Sequence, residues 1–350
     1  MIVYGISCAA ACLVAYIGNR NRRKRVHRAE LVFFSSLPLI LVAALRYDVG
    51  KDYLSGYVSY FEMIQLNTLS QKDQMDFLFH VLNWVIAKLG GSYVWVFAIC
   101  AVVFYLFTVD QVFEDSPNPA LSIFLLTGMG YLFIFLNAMR QMVGCAILLW
   151  SVRFIREKRF IPFLLCVAAA AGFHMTCVFF LVAYFVARVR ITPIRAAVLT
   201  VVILCLSQII TEIVKAIMQK TQYAVYLYSV FDTGKDATVT ILMLAVLAVF
   251  FSVFYADNPK FQMYYNFLLS ALWISFFSGR IVLGIRMMWM FGLTTIISLP
   301  LVVESILEEK SQKVLKAAIV LLYSVYTLIT VGVQNSNSVL PYQTILSRWF

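Results

Sequence analysis

The sequence predicts an all-α protein, a polytopic transmembrane helix bundle of about 12 segments with an outer amphipathic loop after the second segment. Composition is the first observation: of 350 residues, 62% are hydrophobic and 13% charged, and the mean hydropathy is +0.87. A soluble domain is nearer half apolar and a quarter charged, so lipid must serve as much of this chain's solvent. The second is period: the apolar runs are long and continuous rather than alternating in and out, which selects helices over a barrel. The third is spacing. Apolar runs follow at short intervals from Met1 to Val333 with no linker, repeat or low-complexity tract, so 1–350 reads as a single integral membrane domain.

The segments are expected at 1–18, 31–46, 92–110, 120–136, 138–153, 160–172, 174–188, 196–214, 237–255, 262–278, 281–303 and 314–333. The first is not a signal peptide by pattern, because its basic cluster (Arg20, Arg22, Arg23, Lys24, Arg25, Arg28) follows the apolar stretch instead of preceding it. It reads as an uncleaved span with its N-terminus outside. With that cluster in the cytoplasm by the positive-inside rule, alternation puts Arg153, Arg156, Lys158 and Arg159, then Arg188, Arg190 and Arg195, then Lys310 and Lys313 on the same side. The net charge of +11 is thereby assigned to anionic lipid at the phospholipid bilayer surface, and nucleic acid is not expected as a partner. Asp110, Glu114 and Asp115 sit oddly in an inside loop, although acidic residues count little in this rule.

Segments 160–172 and 174–188 are each short: at about 1.5 Å per residue they fall below the roughly 30 Å hydrocarbon core. One tilted helix from Arg159 to Arg188 competes with two short helices meeting near Gly172-Phe173-His174. The second is preferred because it keeps Arg188, Arg190 and Arg195 inside, and it makes His174 a cavity residue, since irregular backbone at depth survives only beside a cavity or within protein.

The remaining charges sort to the other side. Arg46, Asp48, Lys51, Asp52, Arg140, Arg280 and Arg286 lie at or near outer ends of segments, with His174 at their level. A charge within a span costs at least roughly 2.5–3.5 kcal/mol on insertion scales, and arginine's parallel donors suit phosphate or pyrophosphate. Snorkelling to the interface is the plainer reading of any one of them; Arg286, well inside its run, resists it most.

The outer loop, 46–91, opens Arg46-Tyr47-Asp48-Val49-Gly50-Lys51-Asp52-Tyr53. Gly50 permits a tight turn, and Asp52 is expected to cap a helix whose Tyr53, Tyr57 and Tyr60 share one face. Such a helix lies in the interface as an aromatic belt, or else its rings and carboxylates receive sugars. A second amphipathic stretch runs from Asp76 to Trp84, where His80 reads as interfacial. The seven cysteines all lie in apolar runs without CxxC spacing, which fits packing and neither a disulfide framework nor a zinc site. No Gly-rich phosphate loop, HExxH, GxSxG or dinucleotide fingerprint is present.

These residues resemble the EpsG family of bacterial polysaccharide polymerases, the Wzy-like integral membrane glycosyltransferases. The family's first outer loop reads approximately Arg-Tyr-x-Val-Gly-Thr-Asp-Tyr-x-x-Tyr, matched by Arg46, Tyr47, Val49, Gly50, Asp52, Tyr53 and Tyr57, with Lys51 in place of threonine. Its Glu-Pro-Gly-Phe-x-Leu-Leu-Asn element is matched at Asp76, Phe79, Leu82 and Asn83, without the proline and glycine. Met139-Arg140-Gln141 is similar to its Ile-Arg-Gln, Phe173-His174-Met175-Thr176 to its Phe-His-x-Ser, Arg280 with Arg286-Met287-Met288-Trp289 to its arginine-bearing late span, and Leu340-Pro341-Tyr342 to its Pro-Tyr.

The resemblance implies a polymerase of lipid-linked repeat units in the bacterial cytoplasmic membrane, working at the outer face. Glycan would pass from undecaprenyl diphosphate to the non-reducing end of a second lipid-linked unit, building exopolysaccharide, capsule or O-antigen. Its partners would be the undecaprenyl-diphosphate-linked oligosaccharide and a chain-length regulator. Arg140, Arg280 and Arg286, with Arg46 as a fourth, are expected to hold diphosphate, and Asp52 or His174 to act as base. Tyr47, Tyr53, Tyr57, Asp76 and Tyr342 are expected to meet sugar. No metal and no cofactor is expected, because a sugar hydroxyl needs only a positioned acceptor for its proton. A glycan ligase is the nearest rival. A flippase or exporter is the rival from another class, less fitting because no internal repeat is visible and the charges crowd one side.

Overall fold

The computed structural model describes residues 1–20, 27–220, 235–278, 281–306 and 308–348, so that Arg22, Arg23, Lys24, Arg25 and Arg280 fall outside it. Every regular element among the described residues is helical, apart from one isolated bridge between Arg46 and Thr344. Leaving aside three short turns (Gln71–Asp73, Leu328–Val333 and Ile345–Arg348), in chain order they are α1 (Ile2–Arg20), α2 (Arg28–Ala44), a π-helical turn (Tyr53–Val58) running into α3 (Ser59–Gln65), α4 (Phe77–Lys88), α5 (Tyr93–Asp115), α6 (Pro119–Gly128) and α7 (Tyr131–Asn137). Then follow α8 (Met139–Arg156), α9 (Phe160–Phe173), a 3-10 stretch (Met175–Val182) leading to α10 (Ala183–Val186), α11 (Pro193–Met218), α12 (Lys235–Val253), α13 (Pro259–Ser278), α14 (Val282–Gly292), α15 (Thr295–Ser305) and α16 (Glu309–Thr327).

A helix or helix pair occupies each of the expected apolar intervals. Four helices among the described residues are long and apolar enough to cross a membrane, or up to six if each bent pair is one span. One bent pair is α6–α7, turned by 51° where Gly130 takes a φ of +87°; the other is α14–α15, turned by 44°. Local sequence explains several starts. Asn118-Pro119, Thr192-Pro193 and Asn258-Pro259 place a capping side chain before a proline at the first helical position, and each cap accepts a backbone N–H three residues on.

Burial separates centre from rim. The membrane-length window of α5 is 61% buried and packs against α2 and α8, whereas that of α11 is only 11% buried and bares Ile194, Val198, Val201 and Ile209. An apolar helix face of that size left open in water would be an aggregation surface; in lipid it is satisfied, so the chain reads as a multi-pass membrane protein. The core is one continuous cluster reaching from Tyr4 to Val339. All seven cysteines are free thiols.

The bundle has two chemically different ends. At one, Asp110, Glu114 and Asp115 on the last turns of α5 meet Arg28, Arg153, Arg156 and Lys260. The Asp115 carboxylate is fully enclosed and satisfied by Arg156, Lys260, the Tyr264 hydroxyl at 2.7 Å and the Gln111 amide at 2.7 Å. These ion pairs explain why three acidic residues sit among the basic loops.

Residues 160–188 form two short helices rather than one tilted one. After α9 the backbone leaves helical geometry at His174 and returns, so that the Tyr184 hydroxyl donates to the Lys158 carbonyl at 3.0 Å. Both feet of this hairpin stand at the basic end, and His174 is at its tip.

Candidate functional site

At the other end of the bundle, the loop after α2 is stitched to two distant segments. Tyr47 N–H donates to Gln343 O at 2.9 Å, Gly50 N–H to Ser338 O at 2.9 Å, and Lys51 N–H to the Asn137 side chain at 2.7 Å. Gly50 has a φ of +102°, and a Cβ there would lie 2.7 Å from the Leu136 carbonyl oxygen, so both conformation and close approach demand glycine. The turn lets the chain lie against the break between α7 and α8.

That break is held from several directions. Asn137 ends the apolar run of α7, its carbonyl accepts the Tyr57 hydroxyl at 2.8 Å, and its amide donates to Phe133 O and Asn337 O at 3.0 Å. Arg46 is wholly buried: one of its nitrogens donates to Leu136 O, and its guanidinium lies 5.0 Å from the Phe97 ring centroid and 5.6 Å from that of Tyr53. Here structure and expectation part. The resemblance puts Arg46 among the diphosphate ligands, but the side chain is enclosed within the protein, where its bond to the Leu136 carbonyl joins the loop to α7 while Nε has no partner among the described residues.

The aromatic residues divide likewise. Tyr53, Tyr57 and Tyr60 share one face, as the spacing predicts, and that face is buried against Phe79 and Phe97. The hydroxyls of Tyr53 and Tyr342 donate to the carbonyls of Arg46 at 3.1 Å and Val42 at 3.0 Å. Tyr53, Tyr57 and Tyr342 therefore build the wall beneath the loop; Tyr47 stays half-buried beside Tyr53. His80 accepts or donates a 2.8 Å bond with the Tyr60 hydroxyl and braces α4 on α3.

Asp52 differs from the cap the sequence suggests. The turn that follows is π-helical, with Tyr57 N–H bonded to the Asp52 carbonyl, and the Asp52 side chain makes no capping bond. No described side chain hydrogen-bonds its carboxylate, which is exposed on one side. Loss of water from its other side holds the carboxyl above the usual carboxylate range, against the opposing pull of Arg286, Arg140, Lys51 and Arg46.

Arg140, His174, Arg286 and Asp76 are linked directly. Arg140, in the first turn of α8, donates to Asp76 Oδ2 at 2.5 Å, while Asp76 Oδ1 accepts the Met175 backbone N–H at 3.0 Å. Asp76 thus ties α4 and α8 to the tip of the α9 hairpin. There His174 Nδ1 lies 2.9 Å from Thr176 Oγ1, and its Nε2 lies 3.3 Å from Arg286 Nη1. A guanidinium has donors only, so Nε2 can bond Arg286 only as an acceptor, while Nδ1 faces both the Thr176 hydroxyl and, at 3.4 Å, the Thr176 backbone N–H. The Gln141 amide donates to the Arg286 carbonyl at 2.6 Å, joining α8 to α14.

Two arginines, a histidine and two carboxylates thus meet on separate elements at the end away from the basic loops. Arg280 lies outside the described residues. Sequence reasoning passed over Asn137 and the bridging role of Asp76. A lone amide closing the Tyr131–Leu136 run was the available signal for the first; nothing local signals the second, because Met175 is a backbone partner.

No curated protein and no solved structure matches this chain significantly. The model of the EpsG family matches residues 30–344, a stretch that contains the loop, Asp76, Arg140, His174 and Arg286. The chain belongs to the EpsG family.

Proposed function

We propose that this protein is a membrane glycosyltransferase that polymerises lipid-linked glycan repeat units, with its site at the end of the bundle formed by Asp52, Asp76, Arg140, His174 and Arg286. The observation that carries the reading is the convergence of Arg140 and Arg286 beside an uncommitted carboxylate, Asp52. Family membership supports a polysaccharide polymerase role. The positive-inside rule puts the opposite, basic end in the cytoplasm and this site at the outer face of the cytoplasmic membrane.

The geometry supports the following division of labour. A hydroxyl at the non-reducing end of the acceptor attacks the anomeric carbon of the donor glycan, its proton passing to the Asp52 carboxylate. The bond from that carbon to the diphosphate oxygen breaks, and the electron pair leaves with the lipid diphosphate. Arg140 and Arg286 offset the charge gathering there, with Arg280 assigned beside them from sequence alone. His174 is a positioning residue: its Nε2 lone pair is already turned to Arg286, which leaves Asp52 as the base. Tyr47 offers an aromatic face to sugar, and Arg46 acts on the site only through the loop it anchors.

Purified protein in liposomes, supplied with undecaprenyl-diphosphate-linked repeat unit, is the test. The wild type should make a polymer ladder with new glycosidic bonds, and Asp52→Asn and Arg286→Ala should not. Lipid-linked glycan moved across the bilayer without new bonds would replace this reading with transport, and unchanged ladders from both variants would remove the site.

A further inference from the structure

A second charged feature lies at the far end of α8, roughly 25 Å from Arg140 by helix rise. A pocket of about 720 Å³ opens there between the end of α8, the turn after α10 and the start of α13. Arg156, Lys158, Arg188 and Arg190 line it against a single carboxylate, Asp257. Arg156 is engaged by Glu114 and Asp115, and Arg190 by Asp257 at 2.5 Å. Lys158 and Arg188 have no carboxylate partner among the described residues.

Arg188 is held through its side chain and Lys158 through its backbone. Lys158 has a φ of +60°, a left-handed conformation uncommon for lysine, and its backbone is pinned by the Ile155 carbonyl at 3.1 Å and the Tyr184 hydroxyl at 3.0 Å. Arg188 lies over the Tyr184 ring, 3.7 Å from its centroid, and donates to the Tyr184 and Ile155 carbonyls. The N-terminus of α13, 20 residues long and capped by Asn258, opens on the same space and adds partial positive charge. Ile155, Ala187, Pro259 and Met263 complete the lining with apolar surface, and in the chain segments flanking Arg188 and Arg190 the side chains of Phe185, Val189 and Ile194 are 64%, 52% and 80% exposed.

We infer that this pocket binds the phosphate headgroup of an anionic lipid, from the leaflet at the basic end of the bundle. Two cations without carboxylate partners among the described residues supply the phosphate contact, and the exposed apolar side chains of the flanking segments supply a place for acyl chains that a free phosphate would not need. The inference depends on the membrane reading and not on polymerisation.

Native mass spectrometry of the full-length detergent-purified protein tests it, with phosphatidylglycerol or cardiolipin against phosphatidylcholine, and with inorganic pyrophosphate as competitor. The wild type should retain the anionic lipids preferentially. Lys158→Gly removes the side chain while suiting the backbone, so it folds, and should weaken retention roughly fivefold; Arg188→Gln added to it should weaken retention further. Lys313→Gln, in the exposed pair with Glu309, should change nothing. Equal retention of phosphatidylcholine, wild-type retention by the double variant, or an equal loss in Lys313→Gln would overturn the site. Pyrophosphate that binds alone and displaces the lipid would reassign the pocket to a free anion, which also overturns the lipid.

Discussion

His174 Nε2 faces Arg286 Nη1 at 3.3 Å across 112 residues of sequence, joining the tip of the α9 hairpin to α14. The contact makes the histidine an orienter of the arginine. His174→Ala should therefore lower polymerisation about a hundredfold by letting Arg286 shift, since a displacement near 1 Å has that scale of effect. The measurement is the rate of ladder formation in liposomes. Because the proposed base, Asp52, remains, the shape of the pH profile should not change.

As the proposed base, Asp52 should govern that profile. Burial disfavours its charged form, so its folded-state pKa lies above the ordinary carboxylate value, and the base is active only when deprotonated. Activity should therefore rise with pH through a limb displaced upward from the usual carboxylate range. Asp52→Asn should abolish the limb and cost about 10²–10⁴-fold in rate. Rates measured from acid to neutral pH check both.

Asp76 holds Arg140 and the Met175 N–H together. Both partners of the ion pair are about a fifth exposed, so screening is limited. Asp76→Ala should destabilise the fold by roughly 1.5–3 kcal/mol and lower turnover as well, because Arg140 loses its anchor. Thermal unfolding in detergent and the polymerisation assay, run on one preparation, separate the two effects.

Gly50→Ala should cost about 1–3 kcal/mol through its φ of +102° and the 2.7 Å approach of its Cβ to Leu136 O. The damage should be local. Limited proteolysis should cut first between residues 46 and 60, while thermal unfolding of the helical bundle shifts little.

The opposite end supplies a contrast. Asp115→Asn takes the enclosed carboxylate from Arg156, which keeps Glu114, and from Lys260, and losing such charge-assisted hydrogen bonds costs roughly 1.5–3 kcal/mol. Stability measured by thermal unfolding should fall while the rate per folded molecule stays that of the wild type, since Asp115 is a helix length from Arg140.

How far the site was legible depended on the kind of residue. Arg140, His174, Arg286, Asp52 and Asp76 stood out because a polar group in an apolar run, or beside a glycine turn, is costly wherever it lies. The roles of Arg46, Tyr53, Tyr57 and Tyr342 were not legible. A buried arginine spent on a carbonyl and an open one awaiting a ligand have the same letter, and only the rings and carbonyls brought from residues 97 and 136 distinguish them.

By itself the sequence determined the helical class, the positions of the apolar segments and the grouping of basic residues away from the Arg46–Tyr57 loop, because hydropathy and charge act through local composition and the bilayer reads them segment by segment. The tertiary structure chose between the two readings of 160–188 in favour of the preferred turn at His174, and it alone decided that α5's acidic residues pair with the basic loops and which polar groups touch. Those outcomes depend on packing between residues separated by tens to hundreds of positions, where no local pattern records the partner.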